Sequence, residues 1–140
     1  MRVVLDTNIL VSALIAPAGY PAAIYNAWEY DRFTLLTCAE HLAEVGATLR
    51  KPSIAALIAP HKAGRLINQI KKLAANIVNL PQVRRSSDPD DNFLLALAEA
   101  GAADYLVTGD KSGLLTLKKH KRTQIITARQ FAETIVGRNP

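Results

Sequence analysis

Apolar and polar positions follow two periods along this chain, and the two alternate. Val3, Val4 and Leu5 form a β-rich run that predicts a strand over 2–6, continuous enough to be buried on both faces. Asp6, Thr7 and Asn8 interrupt it before Ile9, Leu10 and Val11 resume the apolar pattern in a short helical segment. The turn sequence PAGYP at 17–21 separates that segment from a helix over 22–30, with Ile24 and Trp28 spaced i, i+4. A second strand is expected over 33–37. Leu42, Val45 and Leu49 then recur at i, i+3, i+7, the stripe of an amphipathic helix that Pro52 stops.

The next helix pattern covers about 61–75, with Leu66, Ile70 and Leu73 inward and Lys62, Arg65, Gln69 and Lys72 outward. A third strand over 77–80 is closed by Pro81. SSDPDDN at 86–92 supplies acidic capping chemistry for the helix FLLALAEAGA, which is apolar almost all round and so belongs deep between neighbours. Strands follow over 105–108 and 124–127, separated by the turn TGDKSG, and a helix over 130–136 closes the chain.

Strand and helix alternating in this way predict an α/β fold, a three-layer α/β/α sandwich around a central parallel sheet of four to five strands. No repeat, low-complexity tract or long linker divides residues 1–140, so a single domain is expected. Right-handed crossovers put every strand's C-terminal end on one edge of the sheet. Ligands of open α/β sheets bind beyond that edge.

Composition adds exclusions. No apolar run approaches the roughly 20 residues that span a bilayer, and Asp6 interrupts any signal-peptide pattern. Cys38 is the only cysteine, which rules out a disulfide framework or a cysteine metal cluster and suits a reducing cytoplasm. Seventeen Lys and Arg against twelve Asp and Glu give a net charge of +5, concentrated at Lys71-Lys72, Arg84-Arg85 and 118–122. A polyanionic partner is compatible with that balance.

Four acids sit where the fold would place a ligand. Asp6 ends the first strand, Glu44 lies in the helix after the second, Asp91 opens the apolar helix and Asp110 follows the fourth strand. A single acid after a strand is ordinarily a helix cap, and Glu44 alone is ordinarily solvated. Asp6 resists that explanation, because its strand is buried and a buried carboxylate needs a partner. Two carboxylates about 4 Å apart repel by roughly 4 kcal/mol even at an effective dielectric of 20. Four in one cleft therefore require either basic side chains or a divalent cation. An all-oxygen donor set without Cys or His at ligand spacing suits Mg²⁺ or Mn²⁺. His41 reads as a surface or supporting residue, and His61 and His120 lie in basic segments expected to be exposed. With the four acids set aside, seventeen bases face eight acids in the remaining chain. An acidic metal pocket in a basic surface is the requirement of a phosphodiester-cleaving enzyme.

VVLDTNILVSAL at the N-terminus, DPDDNFLLALAEAGAADYLVTGD at 88–110 and IITARQF near the C-terminus resemble the PIN-domain family, in particular its branch of toxin components of toxin–antitoxin systems akin to VapC toxins. The resemblance spans essentially the whole chain. It implies that the family's four acids fall on Asp6, Glu44, Asp91 and Asp110 as metal-holding catalytic residues, with Asn8 and Thr108 supporting them. Glu40 competes with Glu44 for one place, while Asp88 and Asp90 are disfavoured as ligands. The resemblance further implies a Mg²⁺- or Mn²⁺-dependent endoribonuclease acting on single-stranded or looped RNA, a homodimer, and an antitoxin protein as partner, with Tyr25, Trp28 and Tyr30 offering a contact surface. Many relatives carry a further acid shortly after TGD; here Ser112 and Gly113 follow Lys111 instead. That departure keeps a binding module without catalysis as the alternative. A phosphatase with an Asp nucleophile is disfavoured, because the position two residues on, where its general acid would stand, is Asn8.

Overall fold

A computed structural model of the chain describes residues 1–110 and 112–137. Its strands are β1 (Arg2–Leu5), β2 (Thr34–Thr37), β3 (Ala75–Asn76), β4 (Tyr105–Val107), β5 (Lys119–His120) and β6 (Thr123–Ile126). The helices are α1 (Thr7–Ile15), α2 (Tyr20–Glu29), α3 (Ala39–Arg50), α4 (Pro52–Ala55), α5 (Pro60–Leu73), α6 (Asn92–Ala100), α7 (Leu114–Leu117) and α8 (Ala128–Gly137), with a 3₁₀ turn at Pro89–Asp91 before α6.

The sheet order is β3-β2-β1-β4-β6-β5. β1 pairs in parallel with β2 and β4, β2 with β3, and β4 with β6, while β5 is antiparallel to β6. The α/β sandwich expected from the alternation is therefore present, but the sheet has six strands rather than four to five and is not wholly parallel. The added strand is a two-residue hairpin arm. Lys118 and Lys121 on either side of it have φ of 61° and 54°, which turns the chain back on itself. The third strand lies at Ala75–Asn76 rather than at 77–80. Leu36 and Thr37 have no further partner residues to offer, so after Ile77 donates to the Thr37 carbonyl at 2.8 Å the segment leaves the sheet.

Period-2 alternation in β1 serves both faces of the sheet. Val3 and Leu5 join a core with Ile9, Leu10, Ile24, Trp28, Val45, Leu66, Ile70 and Phe131. Val4 faces a second core formed by Leu36, Leu94, Leu95, Leu97, Leu106 and Leu114. α6 is apolar almost all round because it fills that second layer. Trp28 is buried, so it belongs to the core and not to a contact surface, whereas Tyr30 is 82% exposed. Leu73, expected inward, is 62% exposed: it is the last residue of α5, past which the chain turns into β3, and Leu66 and Ile70 anchor the helix without it. No single described helix is long and apolar enough to cross a membrane.

Candidate active site

β1 is where the strand order reverses, with β2 and β3 on one side and β4 and β6 on the other. The C-terminal ends of β1 and β4 meet there, at the switch point where open α/β sheets bind ligands. A cleft of about 600 Å³ opens at that edge. Asp6, Glu44, Asp88, Asp91 and Asp110 all line it, together with Thr7, Asn8, Thr48, Lys51 and Gly109.

Each acid arrives by a different element. The Asp6 amide donates to the Val107 carbonyl at 2.9 Å, tying the end of β1 to β4. Its side chain is only 8% exposed and accepts from Thr108 Oγ1 at 2.8 Å. Although Asp6 occupies the N-cap position of α1, its carboxylate makes no capping bond. Thr108 Oγ1 also accepts from the Asp110 amide at 3.1 Å, so one fully buried hydroxyl positions two acids. Glu44 projects from α3 and accepts from the Thr7 hydroxyl.

Asp91 precedes α6 and likewise makes no capping bond. The cap belongs to Asp88, whose Oδ1 accepts from the Asp90 amide at 3.0 Å across the 3₁₀ turn. Asn92 Oδ1 holds the approaching strap by accepting from the Arg85 and Ser86 amides, at 3.1 and 2.8 Å. Asp110 is the acid that does cap: its two oxygens accept from the Gly113 and Leu114 amides at 3.0 and 3.3 Å, ahead of α7. A β-carbon at Gly113 would stand 2.0 Å from Asp110 Oδ2, so only glycine permits that closure.

The electrostatics report uncompensated negative charge. Burial pushes the Asp6 carboxyl up, and Glu44 and Asp110 push it further, against the pull of the Thr108 hydroxyl. Asp91 is raised to about 6, first by burial and then by Asp6, Asp88, Asp110 and Glu44. Lys51 is the single basic side chain among the described residues that line the cleft.

A PIN-domain sequence profile matches residues 2–112. The chain belongs to the PIN-domain family. A curated relative, an uncharacterized protein of Methanocaldococcus jannaschii designated MJ1680, is 25% identical over 123 residues, covering 87% of this chain and 78% of its own. Among solved structures, FitAcB from Neisseria gonorrhoeae superposes with a TM-score of 0.53 at 12% identity, covering 91% of this chain and 98% of that one. At that identity the likeness speaks for the fold.

Within this PIN domain, Asp6, Glu44, Asp91 and Asp110 share the cleft expected from the sequence. Glu40 faces a different groove beside Pro81 and Phe93. Thr108 donates to Asp6, whereas the exposed Asn8 side chain lines the cleft without a hydrogen bond to an acid among the described residues. Asp88, disfavoured as a ligand, nonetheless stands on the cleft wall. Three lining residues, Thr7, Thr48 and Lys51, were not singled out from the sequence. Thr48 and Lys51 had a signal, since they follow Glu44 at i+4 on α3 and at i+7 at its C-cap. His120, expected to be exposed, is 4% exposed and held between Glu99 Oε1 and Arg85, both at 2.8 Å. The hairpin that sequence reading missed is what folds it inward.

The Thr108 hydroxyl gives a direct stability test. Thr108→Val is expected to destabilise the PIN domain by about 2 kcal/mol, the usual worth of a hydrogen bond to a charged group. Urea denaturation measures it, and an unchanged midpoint would mean that the bond to Asp6 carries no stability.

Proposed function

We propose that the chain is a metal-dependent endoribonuclease, hydrolysing single-stranded or looped RNA to leave a 5′-phosphate and a 3′-hydroxyl. PIN domains are generally nucleases that use divalent metal ions. The observation that carries the reading here is the convergence of five acids on one cleft, with one lysine among them, in a chain whose net charge is +5.

The donor set fits Mg²⁺ or Mn²⁺. Every charged group on the cleft wall except Lys51 is a carboxylate, and the buried Cys38 and His41 do not line it. Among the described residues no three His, Cys, Asp or Glu side chains already close on a single point. Mg²⁺ keeps several waters and is held by one or two carboxylates, so a wide cleft does not disqualify it. Asp6, Glu44, Asp91 and Asp110 would hold the cation. When bound, it supplies charge neutralisation and Lewis acidity toward the scissile phosphate. Thr108 and Thr7 fix the orientation of Asp6 and Glu44, as outer hydrogen bonds do for ligating carboxylates. In the reaction, a water oxygen bonds to phosphorus as the bond to the 3′ oxygen breaks, and the departing oxygen takes a proton.

We read this activity as that of a toxin, with a cognate antitoxin protein and a second copy of the chain as partners, in the cytoplasm. Exposed Tyr30, Leu57, Leu73 and Val78 supply apolar surface for such contacts. A lone, buried Cys38 accords with a reducing compartment.

One observation favours a second reading, a binding module with weak catalysis. Both oxygens of Asp110 are taken up by backbone amides, and the further acid of many relatives is absent. Metal addition separates the two. Mn²⁺ at about 100 times its Kd is expected to stabilise the protein by about 2.7 kcal/mol, reversed by chelator, and chelator is expected to stop RNA cleavage. Cleavage that persists in chelator would refute the nuclease reading as stated. Metal-dependent stabilisation without cleavage would favour the second.

A further inference from the structure

The acids of the cleft create a difficulty for a polyanionic substrate, because the wall that would hold a cation also repels the phosphates on either side of the scissile one. Lys51 is placed to offset that repulsion. Glu44, Thr48 and Lys51 are spaced by four and three residues, and all three line the cleft: the first two lie on α3 and Lys51 is its C-cap, about 10 Å from Glu44 along the axis.

The Lys51 backbone is held at both ends. Its amide donates to the Thr48 carbonyl at 3.1 Å, and its carbonyl accepts from the Ile54 and Ala55 amides at 3.0 and 2.8 Å. Its φ of −61° and ψ of 131° are the extended geometry that a following proline favours, and Pro52 opens α4 directly after it. A fixed backbone therefore carries an exposed ammonium, and among the described residues Lys51 forms no ion pair, with Glu44 or with any other acid. A cation serving only to neutralise Glu44 would be drawn onto it.

We infer that Lys51 is an RNA-positioning residue, gripping a phosphate that flanks the scissile one and setting the strand's register over the acids. The inference rests on the nuclease reading for the identity of the substrate, yet it makes a binding claim that can be tested without cleavage.

The test measures binding of a labelled single-stranded RNA of about ten nucleotides by fluorescence anisotropy, across a salt series, to wild type, Lys51→Gln and Lys51→Arg. Loss of one phosphate contact is expected to weaken binding about tenfold at low salt and to reduce the log–log salt slope by about 0.7, the single-strand value per contact. Lys51→Arg should restore both. The thermal midpoint should stay unchanged in all three, which a role confined to capping α3 would not predict. In cleavage assays the Gln variant should raise KM more than it lowers kcat.

Equal affinity and slope for wild type and Lys51→Gln would overturn the inference. If wild type binds RNA with the expected Lys51 dependence and never cleaves it, the inference stands and the nuclease reading falls. Absence of any RNA binding by wild type would overturn both.

Discussion

Asp6→Asn is expected to lower the rate of RNA cleavage by at least about 10²- to 10³-fold while leaving the thermal midpoint of the metal-free protein equal to or above that of wild type. The two halves come from the same carboxylate. A cation acting as Lewis acid is worth several kcal/mol at the transition state, and each 1.36 kcal/mol is tenfold in rate. On the proposed role, removing a buried charge that would help hold the cation forfeits much of that. Without metal, however, the charge is a burden. Asp6 is buried, its carboxyl is pushed up by desolvation and by Glu44 and Asp110, and the Thr108 hydroxyl and the Thr7 backbone, which favour its ionised form, do not offset that rise. Asn keeps an oxygen for that hydroxyl and drops the charge. Rate and melting temperature measured on the same preparations check both halves. Cleavage by Asp6→Asn at the wild-type rate would refute the assignment, and a large fall in melting temperature would show that the variant tests folding instead.

Much of this was legible in the sequence because the signals were long or chemically costly. The strands β1, β2, β4 and β6 appear within a residue or so of their expected places, since their apolar runs are bounded by polar residues or turns. The acid cluster was legible for a different reason: Asp6 follows three consecutive buried residues, and no cap or surface explanation accounts for a charge there. What escaped was short or relational. β3 and β5 have two residues each, too few to show a period, and they exist because a neighbouring strand offers open hydrogen bonds. The distinction between Asp88 as cap and Asp91 as uncapped acid depends on a 3₁₀ turn that no periodicity announces. His120 reads as part of a basic run, and only pairing with Thr123 brings it in against Glu99. Lys51 reads as a helix end followed by a proline, which it is, and its place on the cleft wall with Glu44 follows only once that face is known to border the cleft.

The buried His41 predicts the molecule's response to acid. It is 1% exposed, its ring tilted at 43° to that of Phe93 with 6.2 Å between centroids, and neither ring nitrogen has a hydrogen-bond partner of good geometry among the described residues. Burial pushes its pKa down to about 4, against a smaller opposing pull from the Leu5 backbone. Between pH 6.5 and 4 the unfolded chain binds a proton at His41 that the folded chain refuses. Stability therefore falls as pH drops through that window, by up to about 3 kcal/mol at its lower end, and the loss ceases once the folded state also protonates. Asp91 works in the opposite direction. With its folded pKa at about 6, the native state takes up a proton before the unfolded chain does, and stability rises as pH falls from about 6 toward 3.8. In wild type without metal the raised carboxyls of Asp91 and Asp6 both oppose the histidine, and the melting temperature should fall less over this range than His41 alone would dictate. Asp91→Asn removes the acid's contribution and exposes the histidine's. That variant is expected to melt at or above wild type at pH 7 and to lose roughly 10 °C by pH 4, whereas adding His41→Leu should flatten its profile again. Melting curves across the pH range decide the point, and an Asp91→Asn profile as flat as the double variant's would mean that His41 is not buried in its neutral form.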